Sequence, residues 1–95
     1  MKYELSSRAD SDLKEIYKYS YVTHGKAQAD RYYDGLIARL EFLADTPLIA
    51  RERRDLNPPA RIHPHGQHLI VYQVRERHIL IVRVLHQSMD IESQL

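Results

Sequence analysis

Apolar positions recur every three or four residues through the first half of the chain and every second residue through the last third, with the change falling between Pro47 and Pro59. The first spacing lines one face of a helix, and the second alternates across a strand. Lys2 to Leu5 reads as a short opening strand. Ser7 then supplies a helix cap with Asp10 three residues on, so a helix is expected to start near Arg8. Ala9, Leu13, Ile16, Tyr17 and Ser20 share its face, and Gly25 offers the left-handed residue that ends a helix. Tyr17, Tyr19 and Tyr21 alternate as strand residues do, but the cap, the terminator and the length between them favour the helix.

A second helix follows, with Ala29, Tyr32, Tyr33, Leu36, Ile37, Leu40 and Leu43 on one side and Asp30, Arg31, Asp34, Arg39 and Glu41 largely on the other. Pro47 stops it. The link through His24, Gly25 and Lys26 is short enough to fold the two helices back as an antiparallel hairpin. Gly35, mid-helix, costs about 1 kcal/mol relative to alanine and is expected where this helix closely approaches the first. The run RERRDLNPPA, Arg51 to Ala60, has no periodicity and reads as loop. Arg61 to Pro64 is a short strand that Pro64 ends or confines to an edge. His68 to Val74 and His78 to His86 are two longer strands, joined by a turn at Arg75 to Arg77. The polar tail, Gln87 to Leu95, forms a last helical turn or stays mobile.

The expected fold is therefore α+β, with an N-terminal strand, an antiparallel two-helix hairpin and a three-stranded antiparallel meander, all the strands forming one sheet. Strict alternation puts Ile79, Ile81 and Leu85 on one face of the last strand and Leu80, Val82 and Val84 on the other. On its neighbour, Leu69 and Val71 oppose Ile70, Tyr72 and Val74. Both faces are apolar, and one helical hairpin covers only one of them. The second face needs the tail, the proline-rich loop or another protein over it, and a second chain is the most economical cover.

Composition narrows the function classes. The 95 residues suffice for one domain, 1–95, with little mass for a cleft between lobes. Fourteen Lys plus Arg against thirteen Asp plus Glu leave a net charge of +1, so bulk charge supplies almost no drive toward nucleic acid. No cysteine is present, which removes disulfides, thiolate metal sites and thiol nucleophiles. The start of the chain carries no signal-peptide pattern, and the longest apolar run, Ile79 to Val82, is far short of the roughly 20 residues a spanning helix requires. A soluble, cytoplasmic protein without membrane contact is expected.

Six histidines invite a metal reading, since His63 and His65 share a strand face and His68 follows. Pro64 and Gly66 break that geometry and no carboxylate or cysteine completes a ligand set, so no metal and no cofactor are expected. Arg83 inside an apolar strand must pair or face solvent at a site. Arg61, Tyr72, Arg83 and His86 could grip a scissile phosphate and move a proton for RNA cleavage, although no spacing rule requires it. In the plainer alternative Arg83 makes a salt bridge and His86 ends its strand. Arg51, Arg53 and Arg54 are diluted by Glu52 and Asp55 and read as a solvated loop. There is no glycine-rich phosphate loop and no Ser-His-Asp series.

The stretch LSSRADSDLKEIYKYSYVTHG, Leu5 to Gly25, resembles the opening of the ParE branch of the RelE/ParE toxin family, in which a strand leads through S-x-x-A-x-x-D-L-x-x-I to a helix ending in glycine. Ala27 to Tyr32 with Leu36, Leu40 and Leu43 is similar to that family's second helix, Pro47 to its terminating proline, and Arg61 with Gly66 to Tyr72 to its central strand. Ile81 to His86, followed by Met89 and Asp90, resembles its closing motif. The resemblance implies a toxin of a type II toxin–antitoxin module, neutralised by a ParD-like antitoxin, that contacts DNA gyrase and blocks replication without catalysis. On that reading Arg61, Arg83, His86 and Met89 bear on the target, and Leu69, Val71, Leu80, Val82 and Val84 receive the antitoxin. The sister branch cuts messenger RNA on the ribosome. That alternative would use Arg61, Tyr72, Arg83 and His86, and a third is an inactive antitoxin-binding module.

Overall fold

In the computed structural model, which describes residues 1–95, the helix start is set one residue earlier than the spacing suggests. Ser6, not Ser7, is the cap: its Oγ accepts from the Ala9 N–H at 3.0 Å and its hydroxyl donates to the Val82 carbonyl at 2.7 Å. Ser6 lies in the extended region, as a capping residue must, whereas Ser7 is already helical. Strand β1 (Lys2–Leu5) thus runs into α1 (Ser7–His24), and Gly25 alone, at φ 90°, separates α1 from α2 (Lys26–Asp45). Its N–H closes α1 on the Tyr21 carbonyl while its own carbonyl accepts from Ala29 to open α2. The hairpin is pinned by Tyr17, which donates to Asp30 at 2.6 Å and meets the Tyr33 ring edge-on.

The strands β2 (Glu52–Arg53), β3 (Ala60–His65), β4 (His68–Val74) and β5 (His78–His86) complete one five-stranded sheet in the order β1-β5-β4-β3-β2. β1 is parallel to β5 and every other pairing is antiparallel. The charged stretch expected to be loop contributes β2, which pairs only with Ala60 and Arg61. Pro64 therefore sits inside β3, opposite Leu69, where nothing pairs with its outer side and a missing N–H costs nothing. The tail adds the short α3 (Ile91–Gln94). No helix is long and apolar enough to cross a membrane.

The main core lies between the helices and the sheet. Ala9 and Leu13 from α1 and Leu36, Leu40 and Leu43 from α2 pack on Ile70, Tyr72, Ile79, Ile81 and Val84. Burying each large side chain of this set contributes about 1.5–3 kcal/mol relative to leaving it in water. Gly35 serves a different approach from the one its position suggested: a Cβ there would meet the His65 ring of β3 at 3.4 Å, not α1.

Alternation fails at one point, and the failure reassigns two residues. Val71 pairs with Arg83 but Tyr72 pairs with Ile81, so Val82 is an extra residue in β5, a bulge. Beyond it the parity of the strand reverses. Val84 joins the helix-side core and Leu85 goes to the opposite face, the reverse of strict alternation. That opposite face is not bare either. Val71 and Leu85 are covered by Leu56 from the proline-rich loop, with Ala60, Ile62, Val82 and the tail residues Ile91 and Leu95 packed around them. The chain's own loop and tail thus cover Val71 and Leu85, where a second chain was expected, while Leu69, Leu80 and Val82 on the same face stay half-buried.

Candidate functional site

β1 pairs with β5 only as far as Ile81, and beyond that point α1 takes over the free edge of β5. The Ser6 N–H bonds the Ile81 carbonyl, the Ser6 hydroxyl bonds the Val82 carbonyl, and the Asp12 carboxylate accepts from the Val84 N–H at 2.9 Å. The bulge turns Arg83 to the same edge. Its Nε and Nη2 donate to the two oxygens of Asp12 at 2.8 and 2.9 Å, and Nη1 donates to the Gln94 carbonyl at 2.9 Å. The Arg83 side chain is 10% exposed and that of Asp12 15%. The hydrogen bonds that Arg83 donates to Asp12 raise its pKa further, so Arg83 stays charged, with three of its five N–H groups partnered within the chain. This is the salt-bridge alternative for Arg83, not a free phosphate-binding cation.

Arg61 and Tyr72 stand opposite each other on β3 and β4. Arg61 donates to the Ala50 carbonyl at 2.6 Å, and the fully buried Tyr72 donates to the Pro47 carbonyl at 2.8 Å. Burial raises the phenol's pKa. Both side chains thus fasten the segment after α2 to the sheet. His86 pairs with His68, four residues along β4 from Tyr72, which is about 13 Å at the rise of a strand. Arg61, Tyr72, Arg83 and His86 do not converge: the first two share one end of the sheet, Arg83 an edge, and His86 the other end.

What His86 does join is a groove of about 530 Å³ between α1, the start of α2 and the turn from β3 to β4. Met89, 46% exposed, lines it too, so two of the four residues expected at the target surface are brought together and Arg61 and Arg83 are not. The floor is a chain of rings. Tyr32 reaches from α2 to within 2.6 Å of His68 Nδ1, its ring beside those of His65 and His68, and His68 meets His86 edge-on with ring centres 5.5 Å apart. Gly66, at φ 55°, permits this: a Cβ there would stand 2.7 Å from the Tyr32 hydroxyl. Burial lowers the pKa of His68, with His86 and His65 adding to the effect and Asp12 opposing it. His63 and His65 are lowered first by burial and then by Arg39, which stacks over Phe42 against the same seam. No three His, Asp or Glu side chains are grouped as a set of metal ligands.

Sequence reasoning missed Tyr32 and His68 as members of a site. The one local signal was Gly66 between two strands, a position where a backbone bend or a close approach is expected. Of the residues expected to receive an antitoxin, Leu69, Leu80 and Val82 are half-buried on the second sheet face, Val71 is fully covered there, and Val84 lies in the helix-side core.

Residues 3–91 match the family model described as the ParE toxin of the type II toxin–antitoxin system, parDE. The chain is 38% identical over 93 residues to Toxin ParE1 of Caulobacter vibrioides, covering 98% of this chain and 96% of that protein. It is 36% identical over 95 residues to Toxin ParE1 of Mycobacterium tuberculosis, covering 99% and 97%. In structure it resembles a chain of the chromosomal ParDE TA system from P. aeruginosa with a TM-score of 0.76, over 90% of this chain and 95% of that one. At 19% identity that likeness speaks to the fold alone. A matched family spanning the opening strand, both helices and the whole meander leaves one conclusion: this chain belongs to the ParE toxins of type II toxin–antitoxin systems.

Proposed function

We propose that this ParE-family toxin acts without catalysis, by contact with DNA gyrase, and so blocks replication and arrests growth until its antitoxin neutralises it. The observation that carries the noncatalytic reading is the occupation of Arg61, Tyr72 and Arg83. Tyr72 is fully buried on the Pro47 carbonyl and Arg83 is nearly enclosed against the Asp12 carboxylate, so neither is free to act on a scissile phosphate, and Arg61 donates to the Ala50 carbonyl. His86 and Met89 remain accessible at the groove and are the residues proposed to bear on the target. The half-buried Leu69, Leu80 and Val82 are proposed as antitoxin contacts. With +1 net charge, contact with protein is favoured over free DNA as the route to gyrase.

The test is a gyrase supercoiling assay with the chain freed of antitoxin. Inhibited supercoiling with accumulation of cleaved DNA is expected, weakened by Met89→Ala and His86→Ala. Unchanged supercoiling at protein in large excess over gyrase would refute the proposal. New 5′ ends on translated messages that vanish with His86→Ala would replace it with the ribonuclease reading.

A further inference from the structure

The second face of the sheet already holds a segment of the chain, and the way that segment is held shows what else fits there. Two covers lie over Val71 and Leu85. Leu56, in the connection from β2 to β3, is 3% exposed and belongs to their cluster. The tail is held more lightly: no residue of α3 is fully buried, and its cap residue Asp90 makes no side-chain bond to it. Four residues do not sustain a helix unaided, so α3 persists only while it is docked. Its apolar grip is Ile91 and Leu95, four positions apart and so on one side of the turn, packed against the Val71–Leu85 cluster. Its polar tie to the body is the Gln94 carbonyl, which accepts from Arg8 Nη2 at 2.8 Å and from Arg83 Nη1 at 2.9 Å.

We infer that this tail is an exchangeable cover whose seat receives, in its place, an amphipathic helical turn of the antitoxin, two aliphatic side chains on Val71 and Leu85 and its last carbonyls on Arg8 and Arg83. The seat is the covered centre of the surface whose half-buried Leu69, Leu80 and Val82 are proposed to contact the antitoxin, and the assignment of its occupant rests on that reading. The docked tail displays the chemistry that fits: an aliphatic pair one turn apart and a carbonyl end turned to two guanidiniums. Charge complements the shape. Ser7, Arg8, Ser11, Asp12 and Arg83 line a recess of about 290 Å³, where two guanidiniums against one carboxylate leave one positive charge. The carbonyl end of a helical turn carries partial negative charge and suits it. Leu69, Leu80 and Val82 stay half-buried with the tail in place, so a longer segment removes more apolar surface from water than residues 91–95 do. That difference drives the exchange, and Val71 and Leu85 stay covered before and after it.

The chain has no cysteine, so Ser93→Cys, at an exposed position of α3, takes a single fluorescent label, and Asp34→Cys, at an exposed position of α2, takes the same label as a reference. Fluorescence anisotropy of the full chain is followed as its purified antitoxin is added. The tail label is expected to lose anisotropy, because a released segment moves on the nanosecond scale, while the α2 label gains it as the complex grows. The peptide acetyl-Asp-Ile-Glu-Ser-Gln-Leu-amide should release the tail by itself at ~1 mM or above, the effective concentration of a short tether, and at about tenfold less in a full chain carrying Ile91→Ser. A rise in both labels on antitoxin binding would mean the tail stays docked and overturns the inference, leaving the contacts at Leu69, Leu80 and Val82 standing. No release by the peptide up to about 20 mM, or equal release by a peptide with serine at both aliphatic positions, overturns it too, since the seat would then read no apolar pair. An antitoxin affinity unmoved by Leu80→Ser refutes the surrounding contacts, and the assigned occupant with them.

Discussion

Asp12→Ala removes three hydrogen bonds at once: two from Arg83 and one from the Val84 N–H. Arg83 would remain nearly enclosed, its side chain 10% exposed, with the Gln94 carbonyl as its one remaining partner. Truncating one member of a buried ion pair costs about 3–5 kcal/mol, because the other charge is left in a poorly solvating site. Against a total stability of roughly 5–15 kcal/mol for a small domain, the loss is about a fifth or more of what holds the chain folded. At about 4 °C or more per kcal/mol for a chain of this size, the melting temperature should fall by roughly 12 °C or more. Urea unfolding followed by circular dichroism measures it, with Lys14→Ala as the contrast. Lys14 pairs with Asp10 in the open, its side chain 76% exposed, and its loss should cost about 0.5 kcal/mol or less. The double replacement Asp12→Leu with Arg83→Met should recover most of the stability, since an apolar pair of similar volume leaves no charge stranded. An Asp12→Ala penalty below about 1 kcal/mol, at the level of a surface pair, would refute the view that this contact fastens α1 to the free edge of β5.

Three further outcomes follow from the same geometry. Gly66→Ala places a methyl 2.7 Å from the Tyr32 hydroxyl at a φ of 55°, so it should cost about 1–3 kcal/mol and displace the His68 resonance, and a neutral result with an unmoved His68 would contradict the close approach. Burial lowers the folded-state pKa of His63, His65 and His68 below the ordinary 6.5, so the unfolded chain binds protons first. Their contribution to stability is complete above about pH 7 and is lost as pH falls through 6.5 toward the depressed values. Urea midpoints between pH 7.5 and 5 should decline over that window, and less so in His68→Gln. Deleting residues 91–95 uncovers Val71 and Leu85, so it should cost about 2 kcal/mol and create binding of the apolar dye ANS, whereas no dye binding would mean the tail is not their cover.

Periodicity, two glycines and a proline were enough to place most elements. The strands at His68–Val74 and His78–His86 have the ends their turn residues imply, and Gly25 and Pro47 bound the second helix because local chemistry alone excludes its continuation there. Alternating apolar residues also announced that both faces of the sheet would be covered. What alternation cannot reveal is a slip in its own phase. The extra residue Val82 lies in an unbroken apolar run, so nothing in the sequence marks it, and only pairing with β4 decides that Val84 faces the helices and Leu85 the tail. The same dependence on distant partners governs the chemistry. Arg83 finds Asp12 seventy-one positions away, and Tyr32 finds His68 thirty-six away. Sequence fixes what such side chains are able to donate or accept. Which partner is within reach is a property of the packed sheet and helices, because a hydrogen bond forms only where the fold brings donor and acceptor within about 3 Å.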